Sequence, residues 1–401
     1  MTVAECHRKN SGVHSRPQPR GAVRVHETGR VLRAARESAG LSLATMASRV
    51  HYGKSTLGMV ETGRRTATPD LIAAYERTLG VQGLGEDVNR RELLAAAAAM
   101  LTGSHTPDPL ARLLDGLTTS DHPGHVGRSE VEAVQQATAV YTTMDLRFGG
   151  AVAADLSTGA LRWAVSLLDA PMQDDTRIAL SAAVGALADR TAWIHFDAGR
   201  TYSARQLSTL ALRTADEGVD PDLRAHVLLN VAAQVGEALP SEAAGLVDAA
   251  LSDRRVCTLV RANLHAGLAG HLAKSGERSR ALRHIREAET LAARGGNIPE
   301  WAGFLTADHL DSITTQALAA AGEHTEAIRR FEDLLPRIGT DRLRGRAGRM
   351  IDLAEVHATT GEPEQARSLA RRASKALADV RSTRITARLA QLNESVARAT
   401  S

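Results

Sequence analysis

The sequence has few aromatic residues, few cysteines and no long apolar run. Aromatic residues make up 3% of the 401 residues, whereas β-sandwiches and barrels depend on aromatic and β-branched side chains. Two cysteines, Cys6 and Cys257, are too few for a disulfide scaffold or a structural zinc site. No apolar run reaches the roughly 20 residues of a membrane helix, and residues 1–24 are polar and basic. We therefore expect an all-α, cytoplasmic protein that makes no membrane contact.

The motifs of common enzymes and cofactor sites are also missing. The sequence contains no HExxH motif, no pair of zinc ligands, no P-loop and no nucleophile elbow. The histidines are scattered, and Gly83-x-Gly85 lacks the rest of a dinucleotide-binding motif. We predict that the protein is not an enzyme and uses neither a cofactor nor a metal.

Positive charge is concentrated at the N-terminal end of the chain. The whole chain carries a net charge of +3, but residues 1–82 hold 13 basic and 6 acidic residues, a net charge of +7. The remainder is therefore mildly acidic. Nearly all the basic residues are arginine, so their location is more informative than their number. A basic head on an acidic body favours a polyanionic partner for the head.

Apolar spacing predicts four short helices between residues 25 and 82, after a disordered basic tail at 1–24. Three glycines are predicted to end helices and two hydroxyl residues to cap them, namely Gly40, Gly63, Gly80, Ser42 and Thr68. A helix, a short turn and a second helix in a small basic domain are typical of proteins that place the second helix in the DNA major groove.

The segment 40–81 resembles the Xre/lambda-repressor type of helix-turn-helix family. The matching features are Leu41, the pair Met46-Ala47, the inner face formed by Leu57 and Val60, the turn Glu61-x-Gly63, and the helix from Pro69 to Leu79. The resemblance implies that the domain binds double-stranded DNA through its third helix.

Candidate DNA contacts lie at both ends of this third helix. Lys54, Ser55 and Thr56 are at its N-terminal end, where the helix dipole and free N–H groups favour phosphate. Arg64 and Arg65 follow the helix and are predicted to contact phosphates. Further candidate DNA contacts are Met59 on the helix itself and, as weaker ones, Arg30, Arg33 and Arg36 on the first helix.

Three positions differ from the family pattern. Leu43 stands where a glutamine that contacts DNA is frequent, His51 replaces the turn glycine, and Gly58-Met59 replaces polar residues in the middle of the third helix. Glycine in a helix interior costs about 1 kcal/mol relative to alanine. These differences leave open a domain that keeps the fold without binding DNA.

A short pattern, Gly-Glu-x3-Ala, recurs in the C-terminal part of the chain. It is present at 276–281, 322–327 and 361–366, with a near match at 199–204 and a weak one at Gly236-Glu237. Glycine suits a tight turn, and a small alanine lets paired helices touch. The pattern resembles tetratricopeptide repeats, helical hairpins of about 34 residues, with longer loops here. We predict a helix and linker at 83–128 and a TPR-like helical repeat domain at 129–401.

The resemblance implies that the first helix of each hairpin lines a concave groove for a ligand or partner. Counting from each turn glycine, the positions predicted to face this groove are Trp193, His226, Asn230, Asn263, His309, Ser312, Gln316 and Glu355.

Together these features predict a homodimeric transcriptional regulator. Its helix-turn-helix head would bind operator DNA, and its superhelical repeat body would sense a peptide, a small molecule or a protein partner. The resemblance extends to actinobacterial regulators of development and secondary metabolism. The alternative is a helical-repeat interaction scaffold whose degenerate helix-turn-helix no longer binds DNA.

Overall fold

A computed structural model of the protein describes residues 22–65, 67–81, 84, 93–94, 97–98, 125–339 and 341–398. These residues are helical apart from turns and connections, and no β-strand occurs among them. The chain divides into two compact units, residues 1–88 and residues 89–401, which we call the head and the body. Most of the predicted tail and of the segment 83–128 lies outside the described residues.

The head contains the four predicted helices: α1 (Ala22–Ser38), α2 (Leu43–Arg49), α3 (Lys54–Glu61) and α4 (Pro69–Leu79). The predicted caps are confirmed, because Ser42 Oγ accepts a hydrogen bond from Thr45 N at 3.1 Å and Thr68 Oγ1 accepts one from Leu71 N at 3.3 Å. The three glycines predicted to end helices adopt left-handed backbone angles, with φ between 66° and 75°.

The core of the head brings all four helices together. Leu32, Met46, Leu57 and Tyr75, one from each helix, are fully buried. Helix α1 crosses α3 so closely that a Cβ atom at Gly29 would lie 2.3 Å from the Val60 carbonyl oxygen. A larger residue at this position would force α1 away from α3.

The body contains thirteen helices within its described residues. They are α5 (Arg128–Phe148), α6 (Gly150–Ser166), α7 (Asp174–Asp197), α8 (Thr201–Glu217), α9 (Pro221–Val235), α10 (Pro240–Leu251), α11 (Thr258–Lys274), α12 (Arg278–Arg294), α13 (Ala307–Ala320), α14 (His324–Leu334), α15 (Leu343–Thr359), α16 (Pro363–Ala376) and α17 (Thr383–Arg398). Helices α5 to α16 form six consecutive hairpins, and α17 packs on the last of them. No described helix is both long enough and apolar enough to cross a membrane.

The recurring Gly-x4-Ala pattern forms the turns of four hairpins, as predicted. Gly199, Gly276, Gly322 and Gly361 have φ between 78° and 84°. In each turn the N–H of the residue after the glycine donates to the carbonyl five residues earlier, at 2.8–3.0 Å. The alanines that follow are all fully buried where the two helices meet, at Ala204, Ala281, Ala327 and Ala366. Only glycine enters this backbone conformation without strain, which explains its recurrence.

Two other turns use glycine for close packing instead. Gly236, in the weak match, has φ of −68°, and a Cβ atom there would lie 2.3 Å from His271 Cε1. A Cβ atom at Gly218 would lie 2.4 Å from the backbone nitrogen of Ala182. The left-handed position after α8 therefore falls on Val219, with φ of 52°, which is a strained conformation for a β-branched residue.

The superhelix of hairpins closes on itself. Helix α15 contacts α5, and α17 contacts α7. Arg381 N donates to Phe148 O at 2.7 Å, and Ala151 N donates to Arg381 O at 3.0 Å. Gly149 permits this contact, since a Cβ atom there would lie 2.6 Å from Arg381 O. The concave surface predicted from the repeats is thus the inner wall of a closed array.

Candidate functional site

The N-terminal end of α3 is open to solvent. Its N-cap residue is Gly53, which has no side chain to satisfy the N–H groups of the first turn. Lys54 and Ser55 are exposed there, and Thr56 is half-buried. The structure therefore places these three predicted contacts at a helix end where the free N–H groups and the helix dipole favour an anion.

Met59 lies on the exposed face of α3, whereas Gly58 lies on the side of α3 that faces α2. The Met59 side chain is 39% exposed and lies one helical turn after Ser55. A Cβ atom at Gly58 would instead lie 3.5 Å from Leu43 Cδ2, which is ordinary packing distance on α2. The surface of α3 between its two ends is thus uncharged and partly apolar.

Arg64 and Arg65 are held at the C-terminal end of α3. After Gly63, the N–H groups of both arginines donate to Met59 O, at 2.7 and 3.0 Å. Both side chains are exposed. Within the described residues, neither they nor Lys54 form a side-chain hydrogen bond or an ion pair. Three unpaired cations therefore bracket the exposed face of α3.

Arg36, one of the weaker DNA candidates, has a structural role instead, so that prediction is wrong. It is 7% exposed and donates two hydrogen bonds to the Glu61 carboxylate, at 2.7 and 2.6 Å. The Tyr75 hydroxyl donates to the same carboxylate at 2.9 Å. Burial and this hydrogen bond raise the pKa of Tyr75, and the hydrogen bond to Glu61 raises the pKa of Arg36. These three side chains, the Arg36–Glu61–Tyr75 cluster, join α1, α3 and α4.

We expect Gly58→Ala to stabilise the head by about 0.5–1 kcal/mol, because alanine favours helix and the site has room for a methyl group. Thermal unfolding of the head, monitored by the hydrogen exchange of its backbone amides, measures this effect. A lower stability of the variant would show that α2 and α3 pack more closely than the structure indicates.

All eight predicted groove residues lie on the first helices of hairpins. They join neighbouring inner helices through side-chain contacts. Asn230 Nδ2 donates to both carboxylate oxygens of Asp189 at 3.0 Å, and His309 Nε2 lies 3.3 Å from Asn263 Oδ1. Continuing along the array, the further contacts are Gln316 to Asp352, Ser312 to Arg349, Glu355 to Arg388, and Trp193 to the guanidinium of Arg384. A ligand-binding role for these residues stays a prediction.

A loop between α12 and α13 covers part of this inner wall. The Trp301 ring stacks on His226 with centroids 5.1 Å apart, and its Nε1 donates to Asp220 at 3.2 Å. The Phe304 ring meets His309 edge-on at 5.4 Å. This insertion explains the 46-residue spacing between Gly276 and Gly322, the longest in the series. The sequence shows the extra length but not where the loop folds.

A cavity of about 520 Å³ lies beside this loop. Its walls are α5, an alanine-rich face of α7 and the segment 299–304, with Arg342 also in the lining. None of the eight predicted groove residues lines it. This cavity is therefore displaced from the positions that the repeat spacing indicates.

Buried charges join the two ends of the array. Arg344 lies 2.8 Å from Asp145 and 3.2 Å from Asp197. Arg190 lies 3.5 Å from Asp145, and Arg384 lies 3.2 Å from Asp197. Burial opposes the charge of Asp197, but Arg344 and Arg384 outweigh burial and lower its pKa. We call these five residues the closure cluster.

Lowering the pH from 7.5 to 5 is expected to destabilise the body. Burial lowers the pKa of His226 and of His309 to about 3, so below pH 6.5 the unfolded chain takes up protons that the folded body does not. Each histidine then costs about 2 kcal/mol at pH 5. Burial raises the pKa of Asp189 to about 6, which opposes this loss by about 1 kcal/mol.

Urea unfolding at the two pH values measures this dependence. The variant His309→Gln keeps a neutral hydrogen-bonding group but cannot take up a proton. Its stability should therefore depend less on pH than that of the wild type. If the urea midpoint at pH 5 were no lower than the midpoint at pH 7.5, this result would contradict the view that the histidines are buried and neutral.

The helix-turn-helix domain family matches residues 27–93. The match covers α1 from residue 27 onward and all of α2, α3 and α4, and it extends past them. No curated protein matches the chain.

Two solved structures align with most of the chain at low identity. The first is Bacillus thuringiensis PlcR in complex with the peptide PapR7 and DNA, at 10% identity and a TM-score of 0.30, covering 92% of this chain and 99% of that one. The second is yeast Tom70, at 13% identity and a TM-score of 0.30, covering 94% of this chain and 82% of that one. Similarity at this level assigns neither a ligand nor a partner to the present chain.

The chain is thus an all-α protein with an N-terminal helix-turn-helix domain and a C-terminal body of TPR-like helical hairpins.

Proposed function

We propose that the protein is a transcriptional regulator whose head binds operator DNA and whose body responds to a peptide, a small molecule or a protein partner. The observation that carries the proposal is the position of three unpaired cations, Lys54, Arg64 and Arg65, at the two ends of an exposed helix.

The length of α3 supports this function. Its eight residues span about 12 Å, which is close to the width of the B-DNA major groove, about 12 Å. With α3 in the groove, Lys54 would reach one phosphate backbone while Arg64 and Arg65 reach the other. Ser55, Thr56 and Met59 would then face base edges, with few hydrogen-bonding groups among them. Specificity would therefore depend strongly on DNA shape and on the spacing of two half-sites.

A homodimer follows from this limited contact. One head presents three unpaired cations and a short exposed helix, and non-specific phosphate contacts alone bind weakly at physiological salt. Two heads on two half-sites multiply the effective affinity. The proposal needs no cofactor or metal, and it places the protein in the cytoplasm, where the DNA is.

The triple variant Lys54→Ala, Arg64→Ala, Arg65→Ala is expected to weaken DNA binding, most strongly at low salt. Removing three phosphate contacts per head should reduce the slope of log K against log salt by about 3 per head. Fluorescence anisotropy on the DNA upstream of the protein's own gene, over a series of salt concentrations, measures both quantities.

The matched control removes three exposed cations from the body: Arg371→Ala, Arg372→Ala, Lys375→Ala on α16. Its net charge changes by the same amount, so it should bind DNA with nearly the wild-type slope. Equal effects of the two triple variants would mean that overall charge, and not α3, determines binding.

The second candidate function is an interaction scaffold without DNA binding. The observation that favours it is the apolar Met59 at the centre of the exposed face of α3. A folded head that shows no salt-dependent affinity for any duplex in the anisotropy assay would support the scaffold and exclude the regulator.

A further inference from the structure

The hairpin of α5 and α6 exposes an apolar stripe along α6. Val152, Leu156 and Trp163 are 42%, 54% and 37% exposed. Together with Gly159 they follow the 4-3-4 spacing of core positions in a coiled coil. We call these four residues the α6 stripe. A regular row of exposed apolar side chains along one helix indicates a protein contact.

Exposed apolar residues are concentrated on this hairpin. Of the eleven large apolar side chains that are exposed in the described chain, five lie on α5 and α6. Besides the three on the α6 stripe they are Val140 and Phe148. Scattered single residues of this kind need no explanation, whereas a regular helical row does.

Gly159 occupies the middle of the stripe, and no contact within the described part of the chain requires glycine there. A Cβ atom there would meet no atom within 4 Å. Glycine in a helix interior is unfavourable compared with alanine. A side chain from another molecule that packs against this position would explain why it has none.

We propose that the α6 stripe is a homodimer interface, in which α6 packs antiparallel against α6 of a second copy. A twofold axis between Leu156 and Gly159 would set each Leu156 against Gly159 of the partner subunit. The same axis would set each Val152 against Trp163 of the partner subunit. The stripe is therefore complementary to itself, as a twofold interface requires.

The charges beside the stripe fit this antiparallel arrangement. Asp155 and Arg162 are seven residues apart, on the same edge of α6. In an antiparallel pair, Asp155 faces Arg162 of the partner subunit, and the contact occurs twice. Arg162 forms no ion pair within the described chain. Asp155 pairs with Arg200 at 2.5 Å, but its side chain is 84% exposed and stays accessible.

The dimer should be reversible. A standard interface buries about 800 Å² on each partner, and one face of a helix about 25 Å long provides less than that. We expect dissociation in the micromolar range, strengthened when two heads occupy two half-sites. This inference deepens the proposed homodimer, but it is measured without DNA, so its failure is distinguishable from failure of DNA binding.

Sedimentation velocity of the full-length protein, from roughly 1 to 100 μM, tests the interface. The wild type should pass from monomer to dimer, and Leu156→Glu should raise the dissociation constant at least about tenfold. Ile178→Glu, which alters an apolar residue exposed to 42% on another helix, is the matched control and should dimerise like the wild type. Circular dichroism melting confirms that each variant is folded.

Exchanging the flanking charges tests the orientation. Asp155→Arg alone and Arg162→Asp alone should each weaken the dimer, and the double variant should bind more tightly than either single variant. A wild type that stays monomeric at 100 μM would overturn the interface. So would an unaffected Leu156→Glu variant, or a double variant no tighter than the single ones.

Discussion

Asp197→Ala is expected to open the closed array of the body and to lower its free energy of unfolding by about 3–5 kcal/mol. Asp197 is fully buried and accepts hydrogen bonds from Gly150 N at 3.0 Å and from Ser382 Oγ at 2.8 Å. It also pairs with Arg344 and Arg384. Its removal leaves the buried Arg344 and the partly buried Arg384 with too little negative charge. It also removes the shared acceptor that joins α6, α7 and the start of α17.

Urea unfolding gives the free energy, and small-angle X-ray scattering gives the radius of gyration of the folded variant. Asp333→Ala is the control, because Asp333 pairs with Arg329 on the surface at 3.0 Å and both side chains are more than half exposed. The control should unfold near the wild-type midpoint. An Asp197→Ala variant as stable and compact as the wild type would show that the closure cluster does not hold the two ends together.

Glu61→Ala is expected to unfold the head while the body stays folded. The substitution removes both short hydrogen bonds between Arg36 and a buried carboxylate and leaves this buried guanidinium, within the described residues, with only the longer 3.4 Å contact to Glu37 as an ion pair. It also removes the acceptor of the Tyr75 hydroxyl. Losing one partner of a buried ion pair costs about 3–5 kcal/mol, which is a large share of the stability of a small domain. Hydrogen exchange of residues 22–81 should become fast, and DNA binding should be lost.

Glu37→Ala is the comparison, because the half-exposed Glu37 pairs mainly with Arg33 at 2.8 Å and makes only a longer contact of 3.4 Å with Arg36. It should leave both the exchange rates and DNA binding near those of the wild type. Slow exchange throughout the head of the Glu61→Ala variant would contradict the stabilising role of the Arg36–Glu61–Tyr75 cluster.

The local structure could be predicted from the sequence because it depends on local rules. Ser42 and Thr68 cap helices, and Gly40, Gly63 and Gly80 end them, since these residues satisfy or permit the backbone at a helix end. For the same reason, the turn glycines of the repeats could be recognised in the sequence. The weak match at Gly236 shows the limit of that rule, because this glycine makes room for His271 instead of forming a left-handed turn.

Contacts between distant residues could not be predicted. Arg344 and Asp145 are 199 positions apart, and no local pattern connects them. Arg36 resembles a surface arginine in the sequence, since its partner Glu61 is on another helix. Trp301 and Phe304 belong to an irregular loop, so periodicity does not show that they cover His226 and His309.

Genome-wide mapping of bound DNA tests the central claim most directly: that α3 and the cations at its ends attach the protein to specific duplex sites. The wild type should occupy discrete sites that share a pair of half-sites, and the variant lacking Lys54, Arg64 and Arg65 should lose them while the α16 control keeps them. An absence of discrete sites for the wild type, or the same sites for the head variant, would contradict the account.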